Sequence, residues 1–199
     1  MIELFVKGGP LMWPLLVCSV IALALFLMKL IWFVRLKRSG VSLYRQVDEL
    51  VREGKVELAS QLCRQQDHPL AQVLAAVLAR AGKPRDQVKT VAAEVAGREG
   101  IALERYLGLL STIGTIAPLL GLLGTVVGMI EAFNVIATAG VGTPQTLGGG
   151  ISQALITTAT GMAVAIPVIL AHRFLLGQMN ALVASMEEAV LQIVDLVGE

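Results

Sequence analysis

Long apolar runs separated by polar stretches set the pattern of this chain. Three runs are almost free of charge. Each holds about the 20 residues that a helix rising 1.5 Å per residue needs to cross a hydrocarbon core roughly 30 Å thick. We therefore predict three transmembrane helices, which cover residues 11–35, 106–133 and 151–172.

A polar region with helical periodicity separates the first and second runs. Residues 36–105 contain apolar positions three and four apart, interrupted at Gly54, Pro69 and residues 82–84. This spacing predicts four helical pieces, the last of which runs into the second transmembrane helix. The same periodicity predicts that the third transmembrane helix continues through residues 173–199 as a C-terminal helix.

Positive charges lie on one side of the predicted membrane. Arg35, Lys37 and Arg38 lie at the end of the first helix and directly after it, and Arg173 follows the third helix, whereas residues 134–150 carry no charge. The positive-inside rule then places the N terminus (residues 1–10) and the 134–150 loop in the periplasm, and residues 36–105 in the cytoplasm. The predicted fold is an all-α polytopic membrane protein, N-out/C-in, whose long helices extend into a cytoplasmic helical region.

Composition agrees with a membrane protein. Hydrophobic residues make up 55% and charged residues 16% of the chain, and the mean hydropathy is +0.74, outside the range of an ordinary soluble domain. The first run is expected to remain as an anchor, because its apolar core is too long for a signal peptide. Lys29, near its end, is expected to extend its ammonium to the interface. A net charge of +1 without a basic stripe argues against nucleic-acid binding.

Chemistry-bearing residues form no recognisable catalytic or metal-binding pattern. Cys18, Cys63, His68 and His172 lack the spacing of a metal site. The glycines at 148–150 lack the lysine and hydroxyl residue of a phosphate-binding loop. We expect no catalytic residue, no metal and no cofactor.

Small residues lie on one stripe of each of the last two transmembrane helices, opposite bulky aliphatic residues. No hydrophobic force joins helices in lipid, so such stripes favour close packing, which we expect to be against other protein. Pro118 and Pro167 each remove one internal hydrogen bond and predict kinks. The residues expected to carry the packing are Gly114, Gly121, Gly124, Gly128, Gly161 and Ala165.

Uncharged polar residues accompany these stripes and allow two interpretations. Their hydroxyls can bond back to their own helices, or they can line an internal proton path. Hydrogen bonds between membrane helices average only about 0.6 kcal/mol, so stability alone is a weak reason for the cluster. Glu131 is interpreted as a solvated residue at the outer end of the second helix. The residues of the candidate path are Thr125, Thr157, Thr158, Thr160 and Gln153.

Two segments resemble a known family. The chain contains APLLGLLGTVVGMIEAF at residues 117–133 and GISQALITTATGMAVAIP at residues 150–167. Both are similar to the signature segments of the MotA/TolQ/ExbB proton-channel family, with Gly, Thr and Pro spacings that agree in two separate helices. Three spans and a large first cytoplasmic loop resemble the ExbB/TolQ branch more than the four-span flagellar MotA branch.

The resemblance implies a homo-oligomeric ring, typically a pentamer, in the bacterial inner membrane. The ring would surround an ExbD/TolR-type single-span partner that supplies a membrane aspartate, and proton-driven motion would pass to a TonB-like periplasmic effector. By motif position, Thr125 and Thr158 match polar residues that face this aspartate. Gln153 stands where such proteins often carry glutamate, so no titrating group is available at that position.

Two functional hypotheses follow. The chain is either the ring subunit of a proton-driven motor or a passive membrane scaffold without ion conduction. Using a proton's energy in the membrane requires a group that binds and releases it, and this chain has none at mid-span. The missing acid points to a second polypeptide. An enzyme is disfavoured because the sequence lacks a catalytic set at suitable depth.

Overall fold

The computed structural model describes residues 2–139 and 144–197, in which seven helices and no strand occur. Three of the helices are long and apolar enough to cross a membrane: the second, sixth and seventh. The predicted all-α fold with three transmembrane helices is confirmed, whereas the N-out/C-in orientation stays a prediction. The helices are α1 (Ile2–Lys7), α2 (Met12–Arg52), α3 (Val56–Arg64), α4 (Pro69–Leu78), α5 (Arg85–Glu104), α6 (Leu107–Ala139) and α7 (Pro144–Val197).

The last two spanning helices extend beyond the predicted membrane segments. Because α6 continues to Ala139 and α7 begins at Pro144, most of the segment predicted as a loop at 134–150 is helical. The centre of that loop, residues 140–143, lies outside the described residues. Proline suits the first position of a helix, where its missing N–H would have had no carbonyl partner.

The region between the first and second spans holds four helical pieces, as the spacing predicts: the end of α2, then α3, α4 and α5. The last piece does not run into the next span, however. α5 ends at Glu104, and Tyr106 has a φ of 72°. This left-handed conformation is strained for a bulky residue and cannot continue a right-handed helix, so α6 starts anew at Leu107.

The N-terminal residues form an element that the hydrophobic pattern did not predict. α1 is followed by a turn in which Gly9 has a φ of +74°. Glycine adopts this conformation without the steric cost of a Cβ. The Phe5 ring meets the Trp13 ring edge-on at a centroid distance of 5.2 Å, which holds α1 against the start of α2.

The chain divides into two compact units. The first comprises the residues up to Met28 together with Tyr106–Phe174. The second comprises Lys29–Arg105 and the residues from Leu175 onward. In the second unit α4 is the centre of the core, with six buried apolar side chains in ten residues, and the His68 ring accepts a hydrogen bond from the Leu70 N–H at 3.0 Å as its N-cap.

Lys29 is buried within the second unit, and its predicted place at the membrane interface stays a prediction. Its side chain is buried, and its ammonium donates a hydrogen bond to the Leu103 carbonyl at 3.0 Å. The same ammonium lies 4.4 Å from the centre of the Trp32 ring. Leu103 belongs to the last turn of α5, where carbonyls lack intrahelical partners and carry the negative end of the helix dipole. A cation buried at this point is therefore stabilised.

In the first unit the backbones of α6 and α7 approach each other at glycines. A Cβ added at Gly161 would lie 2.7 Å from the Ala117 carbonyl oxygen, and one at Gly128 would lie 2.7 Å from the Gly150 carbonyl oxygen. Cβ atoms essentially never come within 3.0 Å of a backbone atom. The two small-residue stripes therefore meet each other within one chain, although they were expected to face other protein.

Replacing Lys29 by Met should destabilise the fold, because the Leu103 carbonyl loses a charged donor. Hydrogen bonds to charged groups contribute about 1.5–3 kcal/mol, so we expect a loss of that size in the free energy of unfolding. Denaturant titration in detergent micelles measures it. Lys55→Met is the control, since the Lys55 side chain is 54% exposed in a surface ion pair and its loss should cost under about 0.5 kcal/mol. Equal stabilities of the two variants would contradict the buried role of Lys29.

Replacing Gly161 by Ala should separate α6 from α7. Overpacking of a tight contact costs about 1–3 kcal/mol, and the added methyl group meets backbone that cannot rotate away. Gly177→Ala in the same helix is the matched control, because a Cβ there meets nothing within 4 Å and should stabilise the helix by about 0.5–1 kcal/mol. Thermal unfolding of both purified variants gives the sign of each change, and a stabilised Gly161→Ala protein would disprove the close contact.

Candidate functional site

The side chain of Thr158 joins the two small-residue helices. Its Oγ1 donates to the Gly121 carbonyl of α6 at 2.9 Å and lies 3.2 Å from the Ala154 carbonyl of its own helix. A Cβ at Gly121 would lie 3.1 Å from the Thr158 Cα, so only a glycine lets the hydroxyl reach this carbonyl so directly. The close packing of the helices therefore positions the hydroxyl.

Thr157 is the most deeply buried polar side chain of the predicted path. It is 1% exposed, and its Oγ1 lies 2.8 Å from the Gly8 carbonyl and 2.7 Å from the Gln153 carbonyl. The single hydroxyl proton of Thr157 is therefore shared between these two carbonyl oxygens. On the α6 side, a Cβ at Gly124 would lie 2.5 Å from the Thr157 Cγ2. Thr157 is thus enclosed by α6 and by the turn that follows α1.

The other two threonines bond to their own helices. Thr125 donates to the Leu122 carbonyl at 2.6 Å, and Thr160 donates to the Ile156 carbonyl at 2.8 Å. Both side chains are half-buried. Of the two interpretations left open by the sequence, local bonding describes Thr125 and Thr160, whereas Thr157 and Thr158 also reach neighbouring elements.

The side chains of the predicted path residues on α7 point in two directions. Gln153, Thr157 and Thr160 are spaced four and three residues apart and share one helix face. The N-terminal turn lies on that face, because a Cβ at Gly9 would collide with the Gln153 amide. Thr158 projects about 100° away, toward α6, since a helix has 3.6 residues per turn. Thr125 lies one turn beyond Gly121, the residue whose carbonyl accepts the Thr158 hydroxyl.

The remaining predicted packing residues also lie within the first unit. A Cβ at Gly114 would lie 2.9 Å from the Ile169 Cγ1, and Ala165 is buried with Leu15 and Ala117 in one apolar cluster. α6 continues through Pro118 and α7 through Pro167, and kinks at these positions stay a prediction. Pro167 borders an apolar groove of about 590 Å³ between α2 and α7.

Titratable groups are scarce at this site. Glu131 is the only formal charge between Arg105 and Arg173, and it lies exposed on α6. Among the described residues no three His, Cys, Asp or Glu side chains come together to hold a metal ion. In the second unit, burial raises the pKa of the Cys63 thiol to about 11, which leaves little of the reactive thiolate at neutral pH.

The residues that the sequence analysis missed are Gly8 and Gly9. They lie 149 and 144 residues before their partners Thr157 and Gln153, so no spacing rule connects them. The run of two glycines and a proline at residues 8–10 is nevertheless a strong turn signal. It predicts a change of chain direction without indicating what the turn contacts.

Comparison with known proteins identifies the family. The profile of the MotA/TolQ/ExbB proton channel family matches residues 65–188. The biopolymer transport protein ExbB-like 1 of Synechocystis is 34% identical over 179 residues, which cover 88% of this chain and 70% of that protein. The biopolymer transport protein exbB1 of Vibrio cholerae is 53% identical over 64 residues, 32% of this chain and 28% of the relative.

The chain is also similar to a TolQ protein. The Tol-Pal system protein TolQ of Haemophilus influenzae is 39% identical over 85 residues, 43% of this chain and 37% of the relative. The family profile covers more than half of the 199 residues, and the ExbB-like relative is matched along most of its length. With three apolar helices of spanning length, this multi-pass membrane protein belongs to the MotA/TolQ/ExbB proton channel family, in its ExbB/TolQ branch.

Proposed function

We propose that this chain is the ring-forming subunit of a motor in the bacterial inner membrane that is driven by the proton-motive force. One observation carries the proposal: two threonine hydroxyls lie in a glycine-lined helix contact, in a pair of spans that holds no charge at mid-depth. Membership of a proton channel family, whose relatives are named for biopolymer transport and the Tol-Pal system, supports it.

The absence of a mid-span acid requires a partner in this proposal. A proton crossing 100 mV releases about 2.3 kcal/mol, and capturing it needs a group that titrates inside the membrane. Glu131 is exposed on α6 near the predicted outer end, and Gln153 cannot titrate. A single-span partner of the ExbD/TolR type would supply the acid as an aspartate, inside a ring of five copies of this chain.

Thr158 and Thr125 would form the polar wall that faces the partner's aspartate. Each hydroxyl donates its proton to a backbone carbonyl, so its oxygen keeps lone pairs that can accept a hydrogen bond from water or from a protonated carboxyl group. A neutral wall of this kind offers hydrogen bonds without trapping the proton. Protonation at the periplasmic side and release at the cytoplasmic side would move the partner helices, and a TonB-like effector would receive the motion.

A passive scaffold is the alternative function. The glycine contacts between α6 and α7 would serve equally in a protein that organises other membrane proteins. The two functions differ in one measurable property, which is proton conduction.

Replacing Thr158 by Val should lower proton flux without preventing assembly, because valine keeps the shape and loses the hydroxyl. We expect flux into vesicles that hold the chain and its single-span partner to fall about tenfold, equivalent to about 1.4 kcal/mol of barrier height. A pH-sensitive dye inside the vesicles reports the flux. Thr112→Val is the matched control, because the exposed Thr112 bonds to the Gly108 carbonyl of its own helix. Undiminished flux in the Thr158 variant would remove this residue from the mechanism.

Proton conduction should depend on the partner. The chain reconstituted alone should conduct no more protons than empty liposomes, since it lacks a membrane acid at mid-span, and adding the partner should start the flux. A partner whose membrane aspartate is replaced by asparagine serves as the control. Stable complexes that never conduct protons would favour the scaffold.

A further inference from the structure

The turn between α1 and α2 lies directly on α7 at the candidate path. The Gly8 carbonyl accepts a hydrogen bond from the Thr157 hydroxyl at 2.8 Å, and Thr157 is almost completely buried. This hydrogen bond joins the turn near the start of this sequence to the first half of the predicted third span. No charge takes part in it.

The turn is shaped to make this contact. Gly8 is buried, and a Cβ there would lie 2.6 Å from the Met12 Sδ and 3.3 Å from the Ile156 Cγ2. Gly9 has a positive φ, and its N–H bonds to the Val6 carbonyl at 3.3 Å. A side chain at either position would require the neighbouring Met12 or Gln153 side chain to move, and at Gly9 it would also strain the backbone.

Thr157 and Thr158 tie α7 to two different elements. Thr157 bonds to the N-terminal turn, and Thr158 bonds to the Gly121 carbonyl of α6. Neighbouring helix residues project about 100° apart, so rotation of α7 in either direction breaks at least one of the two bonds. Together they fix the rotation of α7 about its own axis.

We propose that Thr157 is a positioning residue, which holds α7 in the rotation that keeps Thr158 on the wall of the proton path. The inference rests on the proposed function and assigns Thr157 a different role from Thr158. Thr157 acts through the N-terminal turn and does not contact the proton. The turn is accordingly a functional part of the channel-forming unit.

The test compares three variants of the full chain in lipid nanodiscs. Thr157→Val removes the hydroxyl and keeps the shape, and Thr157→Ser keeps the hydroxyl. Thr160→Val is the matched control, because Thr160 lies on the same face and bonds to the Ile156 carbonyl of its own helix. Thr157→Ala is made in parallel, since it removes the hydroxyl without adding a second β-branch methyl and so covers a failure of the valine variant to insert.

The first measurement is hydrogen–deuterium exchange at the Gly9, Met12 and Trp13 amides, which bond within the turn. We expect exchange to rise about tenfold in Thr157→Val and Thr157→Ala, because the turn opens locally, and to change by less than about twofold in Thr157→Ser and Thr160→Val. The second measurement is proton flux with the single-span partner present. Flux should fall in the two variants that lack the hydroxyl and recover in Thr157→Ser.

Unchanged exchange in both Thr157→Val and Thr157→Ala would overturn the positioning role alone. A wild-type complex without proton flux would instead overturn the proposed function and the positioning role with it, even if exchange rises as expected. Faster exchange accompanied by undiminished flux would show that the turn is held by Thr157 but does not serve the proton path, which also overturns the role.

Discussion

The contact between the α6 and α7 backbones is the interaction on which the membrane part of this protein depends. In lipid, apolar side chains gain nothing by leaving their surroundings for one another, so helices associate through close packing and a few hydrogen bonds. Glycines at the crossing bring carbonyls of one helix within reach of the other. The Thr158 hydroxyl bonds to the Gly121 carbonyl because no Cβ stands between them. Packing and polar chemistry therefore arise from the same residues.

The segments of α6 and α7 that make this contact carry very little charge. Between Arg105 and Arg173 the chain carries one charge, Glu131, and that residue is exposed on α6. In the proposed function, such a pair of spans would offer hydroxyls to a passing proton without binding it. The titrating acid would then belong to another polypeptide, and Gln153, which cannot titrate, is compatible with that proposal.

Lys29 and Thr157 show how polar groups are accommodated away from water. Both are buried, and both bond to a backbone carbonyl far away in the sequence: Leu103 for the lysine and Gly8 for the threonine. The lysine meets the unpaired carbonyls at the end of α5, where the helix dipole favours a cation. The threonine meets a turn whose glycines leave the carbonyl accessible. Each side chain thereby links two elements that are far apart in the sequence.

Local physical rules made two features readable from the sequence alone: the three spans follow from uncharged length and the helical class from periodicity. The family was indicated by the resemblance of two segments to known signature segments, and the family comparison confirms it. The choice of partners was decided only by the tertiary structure. The stripes of α6 and α7 meet each other, Lys29 turns inward, and Thr157 bonds to a turn 149 residues away. The spacing of side chains along a helix indicates which of its faces is small or polar. Which other segment packs against that face depends on how distant parts of the chain fold together.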